Sequence, residues 1–353
     1  MPKATLGVGF VGAGPVTQAI HLPTLARLPG LFDVVHITDI DAEIAASVAA
    51  RVGARSSTTI EQLLDDPEVD VVAVCSPHQF HAAQVIAACR ASVKGVLCEK
   101  PFAMGSDEAS EISAVSAETG VPILVGAMHT FDPGWRAAQA NWGALASTTH
   151  SIRSSIVLPP NPRFEDFATE VITRPDMPTP DFADPEVRAA LVHAGIMGLA
   201  IHDLPLVRAL LPNFADLVVL SAAPLAPLGY QVVMTASGTR IELHAVMTAT
   251  WRPDWVFEAY SDDQHLRVEF TPSYVHAGSA ISTLSSGSTT RTFGPQTFNG
   301  YEGEWRELAA VARGEASPPD TGILIDDLRF ALHIAEAAAQ QVRNAAAGQV
   351  VAA

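Results

Sequence analysis

The 353-residue sequence predicts an α/β chain in two parts. A doubly wound parallel sheet spans residues 1–130, and an α+β domain with a large, mainly antiparallel sheet spans residues 131–353. Three observations carry this expectation. Continuous apolar runs alternate with helical stretches in the first part, as strands buried on both faces require. A glycine turn follows the first run, and an acid, Asp39, closes the second. Beyond about residue 130, strand-like segments follow one another over short connections. The length also exceeds what one ordinary hydrophobic core organises.

In chain order, Leu6 to Val11 reads as a short buried strand, Gly12-Ala13-Gly14 as a turn and Pro15 to Leu28 as a helix. Val34 to Thr38 is the next strand. Asp41 reads as a helix cap, followed by helices over Ala42 to Val52 and Ile60 to Leu64. The alternation continues with a strand at Val69 to Cys75, a helix at His81 to Ala91, a strand at Gly95 to Cys98, a helix from Asp107 to Thr119 and a strand at Pro122 to Gly126. In the second part, strands are expected at Val218 to Leu220, Tyr230 to Ala236, Arg240 to Met247, Trp255 to Tyr260 and His265 to Phe270. Seven prolines between Leu158 and Pro185 deny that stretch a helix or inner strand over most of its length, which suggests a long surface arm. The Ser-, Thr- and Gly-rich residues 278–294 read as a loop, and Ile325 to Val342 as a closing amphipathic helix.

Composition narrows the function classes. Against 38 acidic residues stand 21 lysines and arginines, for a net charge of −17. That balance disfavours nucleic acid and anionic membrane as partners and suits a small, neutral substrate. Cys75, Cys89 and Cys98 show no CxxC spacing, which points to reduced thiols. Neither an export signal nor a long apolar span is legible, and a cytoplasmic location is expected. The scattered His and Cys residues have no metal-ligand spacing.

Two glycine patterns overlap at the amino-terminal end. Gly7-x-Gly9-x-x-Gly12 satisfies GxGxxG but leaves too short a strand before the turn. In the frame Gly12-x-Gly14-x-x-Thr17, a full strand precedes the turn, and Pro15 and Val16 open a helix. The first glycine then makes the turn, the second admits a pyrophosphate close to the backbone, and the helix N-terminus offers N–H groups to it. Thr17 replaces the usual third Gly or Ala, which implies looser helix–strand packing. Asp39 stands where a carboxylate would receive the adenosine ribose hydroxyls. With Ile40 next and no arginine or lysine nearby to receive a 2′-phosphate, NAD is favoured over NADP.

Leu97-Cys98-Glu99-Lys100-Pro101 places a lysine at the end of a buried strand, facing the crevice where such sheets hold ligands. Lys100 is thus a candidate proton-transfer group. A lysine base at neutral pH needs its pKa brought from ~10.4 to roughly 7–8, a differential of about 3–4 kcal/mol.

Taken together, Gly12-Ala13-Gly14, Asp39, Cys75-Ser76-Pro77-His78-Gln79-Phe80-His81, Glu99-Lys100-Pro101 and Val125-Gly126-Ala127-Met128-His129-Thr130-Phe131-Asp132-Pro133 resemble the Gfo/Idh/MocA oxidoreductases. The resemblance implies a Rossmann domain followed by an open-faced sheet that binds a sugar, polyol or related compound and commonly forms a homo-oligomer interface, in a dimer or tetramer. It puts Lys100 near the nicotinamide, Ser76, Pro77 and His78 along the cofactor, and Glu99 near the nicotinamide ribose. His81 and His129 complete the implied cofactor set, although helix-side histidines such as His21 and His81 also suit packing or capping.

The resemblance also implies an aspartate four residues before a histidine on one helical face. Here the pair is Gly198 and His202, so the acid is missing, and a further family acid is replaced by Pro205, which would bend the helix beyond the site. His193 is a candidate replacement for the lost acid or a surface residue. Asp203 either holds His202 or faces water, and Tyr301, Glu304 and Trp305 suit core packing. His129 and Thr130 stand where many relatives carry arginines, against an anionic substrate. The implied activity is hydride transfer at a carbinol or keto carbon, with Lys100 and His202 as proton-transfer groups. Two alternatives stay open: an NAD-assisted lyase or glycosidase working by transient oxidation, and a non-catalytic NAD- and sugar-binding regulator.

Overall fold

A computed structural model describes residues 5–174, 180–211, 213–248 and 252–352. The chain forms two compact units. The first comprises Met1–Gly126, Phe164–Asp176 and Tyr301–Leu328; the second comprises Ala127–Arg163, Met177–Gly300 and Arg329–Ala353.

The first unit is built on six strands, β1 (Leu6–Val11), β2 (Phe32–Thr38), β3 (Arg55–Ser57), β4 (Val71–Val74), β5 (Gly95–Cys98) and β6 (Ile123–Val125). They are ordered β3-β2-β1-β4-β5-β6, and every pair is parallel. All six residues of β1 are buried, as apolar strands between two helical layers must be. Strand order reverses between β1 and β4, which opens the crevice where such sheets take ligands. The register pairs Val11 with both Thr38 and Val74, Val74 with Cys98, and Cys98 with Val125. Gly12, Asp39, Cys75, Glu99 and Gly126 therefore leave the sheet along one edge.

Local chemistry fixes the helices. Asp41 accepts the Glu43 and Ile44 N–H groups at 2.9 and 3.1 Å and so caps Ala42–Val52, which Gly53 ends at φ 73°. The helix opening at Pro15 carries one π-helical turn over Thr17–His21.

The second unit holds eight strands: β7 (Ser151–Leu158), β8 (Val218–Pro224), β9 (Leu228–Ala236), β10 (Thr239–Met247), β11 (Asp254–Tyr260), β12 (Gln264–Glu269), β13 (Ile281–Ser286) and β14 (Thr289–Phe293). Their order is β14-β13-β12-β11-β7-β10-β9-β8. All neighbours are antiparallel except the central pair β7 and β10. Ile152, Ser154, Ile156 and Leu158 alternate with less buried neighbours along β7, the period of a sheet covered on one face. Helix Pro185–Gly198 approaches that face closely: a Cβ on Gly195 would stand 2.7 Å from the Tyr230 ring.

Several segments differ from the sequence reading, among them the strand β3 and the helix Gly300–Ala312, which it lacks. β7, at the centre of the second sheet, has no counterpart in it. Within residues 278–294 lies the hairpin β13–β14 rather than a loop: burial alternates along β13, with Ser282 and Leu284 inside, and the chain turns at Gly287 with φ 57°. The proline-rich arm contains a helix, Pro162–Ala168. Pro162 stands at its start, where a missing N–H costs nothing.

Candidate active site

At the edge where β1 ends, Gly12 adopts φ 98°, and a Cβ there would lie 2.8 Å from the Cys75 and Ser76 backbone. Only glycine permits this close turn. Among the described residues, no atom beyond its chain neighbours lies within 4 Å of a Cβ position on Gly14, so the backbone is bare toward a cleft of about 410 Å³ lined by Gly12, Gly14, Asp39, Ser76 and Pro77. Thr17 is buried without displacing the turn: its hydroxyl donates to the Gly12 carbonyl at 2.7 Å. The π-helical turn begins at this residue.

Asp39 is oriented before any ligand arrives. Its Oδ2 accepts the Ala13 N–H at 2.8 Å and its Oδ1 accepts the Asp41 N–H at 3.0 Å. A carboxylate fixed this way, beside a glycine turn with open space, fits a dinucleotide with its ribose at Asp39 and its pyrophosphate at Gly14.

Sequence reasoning did not single out Gln18, which locks this turn. Its buried amide donates to the Ala13 carbonyl at 2.7 Å and to the Ile172 carbonyl at 3.2 Å, and its Oε1 accepts the Ile172 N–H at 2.9 Å. A segment of the proline-rich arm is thereby fastened to the helix that opens from the glycine turn.

Glu99 and Lys100 follow β5. Glu99 is 9 % exposed; its Oε1 accepts from His21 at 3.1 Å and its Oε2 accepts the Lys100 N–H at 3.2 Å. Burial pushes its pKa up, but His21, through its hydrogen bond and its electrostatic influence, and then Lys100 overcome this and hold it below the usual carboxylate range. Burial depresses the Lys100 ammonium, against a raising influence from Glu99. The sign is the one a proton-accepting lysine needs. A Cβ on Gly126 would stand 3.2 Å from Glu99 Oε1, so the glycine after β6 leaves room for this carboxylate.

His78 is brought down to about 4 by partial burial and by Lys100 and is neutral at pH 7. His81 is fully buried, its Nδ1 facing the Pro101 carbonyl and its Nε2 the Ser76 carbonyl, each at 2.8 Å. It ties together the segments that carry Ser76 and Lys100, and both ring nitrogens are engaged by backbone.

His129 and His202 belong to the second unit. The His129 ring is 3 % exposed, stacked on Phe270 with centroids 3.7 Å apart and met edge-on by Trp255. His202 is buried beside it, 6.0 Å from the His129 centroid and 5.8 Å from that of Trp255. Asp203 neither holds His202 nor faces water. It is fully buried, accepting from His129 Nδ1 at 2.6 Å, from the Ser154 hydroxyl at 2.6 Å and from the Trp255 indole at 2.9 Å. β7 and β11 supply two of those donors, which is why the sequence around His202 gave no sign of them.

Gly198 and His202 do not share one continuous helix. The α-helix ends at Gly198, a single 3₁₀ turn covers Ala200–His202, and a new helix starts at Leu204. Pro205 sits in the first turn of that helix, where it is tolerated; the break precedes His202 instead of following it. Among the described residues, no atom outside its own helix lies within 4 Å of a Cβ position on Gly198, so there is room at the vacated acid position. Trp305 is a core residue of the first unit, with ring centroids 5.9 Å from Phe10 and 5.1 Å from Phe32.

A parallel sheet of this order, with a bare glycine turn and an oriented acid closing β2, defines a dinucleotide-binding Rossmann protein. Residues 6–127 match the Gfo/Idh/MocA family, described as an oxidoreductase family with an NAD-binding Rossmann fold. Inositol 2-dehydrogenase 3 of Saccharopolyspora erythraea is 38% identical over 133 residues, which are 37% of this chain and 39% of that protein. The chain thus matches well under half the length of this curated relative. The crystal structure of UDP-N-acetylglucosamine 3-dehydrogenase from Acidithiobacillus ferrooxidans superposes with a TM-score of 0.73 at 20% identity, covering 96% of this chain and all of that one. A levoglucosan dehydrogenase in complex with NADH and levoglucosan gives 0.70 at 18% identity, over 96% and 98%. Both share the two-part fold. Over its Rossmann unit the chain is thus similar to the Gfo/Idh/MocA oxidoreductases. Among the described residues no helix is long and apolar enough to cross a membrane.

Proposed function

We propose that the protein is a nicotinamide-dependent oxidoreductase that moves a hydride to or from the carbinol or keto carbon of a sugar, polyol or related small molecule. The observation that carries this reading is Lys100: a half-buried lysine with a lowered proton affinity, on the same sheet edge as the glycine turn and beside an oriented carboxylate. NAD supplies the hydride acceptor at C4 when bound. In the oxidative direction the neutral Lys100 amine takes the hydroxyl proton as the hydride leaves carbon, which gives a carbonyl and an ammonium. In reduction the ammonium returns the proton. His202 is the second candidate proton carrier, and Asp39 favours NAD over NADP because its charge opposes a 2′-phosphate. The open position at Gly198 receives a substrate hydroxyl. Similarity to the inositol and levoglucosan dehydrogenases supports the substrate class. We also propose a homo-oligomer formed through the second sheet and a cytoplasmic setting, in keeping with the three free cysteines.

The test is turnover of NAD with a panel of polyols, among them myo-inositol and levoglucosan, in wild type and variants. Lys100→Ala should lower kcat by ~10²–10⁴ with NAD affinity within about threefold. His202→Ala should cost less if Lys100 carries the proton alone, and comparably if the two act in relay. Full turnover in Lys100→Ala would overturn the assignment.

A further inference from the structure

Behind Lys100 lies a chain of hydrogen bonds whose direction one donor fixes. The Trp305 indole N–H donates to His21 Nδ1 at 3.1 Å. Indole nitrogen donates and never accepts, so Nδ1 carries no proton and the ring proton sits on Nε2. That nitrogen faces Glu99 Oε1 at 3.1 Å, and Glu99 Oε2 takes the Lys100 backbone N–H. His21 and Trp305 are both fully buried, with ring centroids 5.7 Å apart, edge to face. Phe10 packs on both rings.

Building on the reading of Lys100 as proton carrier, we propose that Trp305, His21 and Glu99 form a buried positioning triad that fixes a carboxylate beside Lys100. In it His21 serves only as a neutral donor of defined tautomer and not as a proton carrier.

The neighbours of Glu99 agree with this assignment. Burial pushes the Cys75 and Cys98 thiols up, so both stay protonated. Glu304, next to Trp305, is fully buried, and neither carboxyl oxygen has a hydrogen-bond partner among the described residues. Its burial and the charge of Glu99 raise its pKa well above the ordinary carboxylate range. His78 is neutral at pH 7. Glu99 therefore carries the negative charge that Lys100 meets, and His21 keeps it oriented without adding a positive charge. Histidines are often tautomer-locked in this way by a partner on the second ring nitrogen; here the partner is an indole 284 residues away in sequence.

Glutamine reproduces the neutral tautomer, with an oxygen to accept the indole N–H and an NH₂ to donate to Glu99, and it cannot become an imidazolium. His21→Gln should keep kcat/KM within about threefold of wild type. His21→Leu removes the donor and should lower it by about 10–100-fold, the worth of a hydrogen bond to a charged group. Equal damage in both variants, or none in His21→Leu, would overturn the proposal. Nitrogen NMR of histidine-labelled protein at neutral pH reads the tautomer without reference to turnover, the His21 signals being those lost in His21→Gln. The expected wild-type ring has a protonated Nε2 and a bare Nδ1, and Trp305→Phe, which keeps the aromatic packing, should let Nδ1 take up a proton while Nε2 stays on Glu99. A doubly protonated ring or an Nδ1–H tautomer in the wild type, or no change in Trp305→Phe, would refute the triad. Absence of polyol turnover by the wild type would refute the functional reading instead, and the NMR result would still decide the triad.

Discussion

Asp203 offers a quantitative test because two replacements of it differ in what they leave behind. The wild-type carboxylate accepts three donors in a fully buried setting. Asparagine can keep the same number of bonds: its oxygen accepts from Ser154 and Trp255, and its NH₂ turns to His129 Nδ1. Charge-assisted bonds are roughly twice as strong as neutral ones of about 1 kcal/mol, and a neutral side chain is easier to bury. Asp203→Asn should therefore cost about 1–3 kcal/mol. Alanine keeps no acceptor and strands three buried donors, which should cost about 3–5 kcal/mol. Chemical denaturation at unchanged m-value measures both. The asparagine variant has a second consequence. In the wild type His129 Nδ1 donates to Asp203; an amide donor there needs Nδ1 bare and puts the ring proton on Nε2. If Nε2 accepts a hydrogen bond from substrate or cofactor, kcat/KM should fall although the fold persists. Equal costs for the two variants, or an alanine variant within about 1 kcal/mol of wild type, would refute the three-donor account.

Further outcomes follow from other positions. Asp39→Ala should weaken NAD binding by about 10–100-fold, as expected for lost charge-assisted hydrogen bonds, and narrow the preference over NADP; calorimetric titration with both cofactors checks this, and unchanged NAD affinity would make Asp39 merely structural. Gly198→Asp should fold normally, because no neighbour stands within 4 Å of the new Cβ, and should alter relative kcat/KM across sugars, polyols and their keto forms more than NAD affinity; a uniform effect on every compound would remove Gly198 from the substrate site. Glu304 should make the wild type less stable as pH rises. Its folded pKa lies above the ordinary 4.5, so between 4.5 and the folded value the unfolded chain ionises while the native state keeps the proton. Glu304→Met should remove that pH dependence and raise stability at pH 8, by thermal melts across the range; a melting temperature that responds to pH as the wild type's does would refute the linkage.

The first sheet was legible because its signals are local. Leu6–Val11, Gly95–Cys98 and the helix Ala42–Val52 have the bounds that their apolar periodicity and the Asp41 cap suggested. Gly12, Asp39 and Lys100 could be placed because each terminates a strand, and parallel register brings strand ends to one edge. The second sheet was harder. β7, Ser-Ile-Arg-Ser-Ser-Ile-Val-Leu, alternates as a strand should, but its serines resemble a loop. Its central position depends on β10 and β11, which lie about a hundred residues on. β13–β14 was hidden in the same way, since Ser and Thr suit both turns and an exposed hairpin.

What the sequence by itself determined is therefore the set of groups attached to strand ends: the dinucleotide turn, the acid closing β2, the Glu-Lys-Pro element and the family they resemble. Tertiary structure decided which groups answer them. Trp305 and His21 stand behind Glu99, Gln18 holds Ile172, and Asp203 serves His129, Ser154 and Trp255 instead of the histidine beside it. The physical reason is that a buried polar atom must find a partner within about 3 Å, and burial brings together residues that lie far apart in the chain. Capping and strand termination act over a few neighbouring residues and leave their mark on the local sequence; pairings such as His21 with Trp305 leave none.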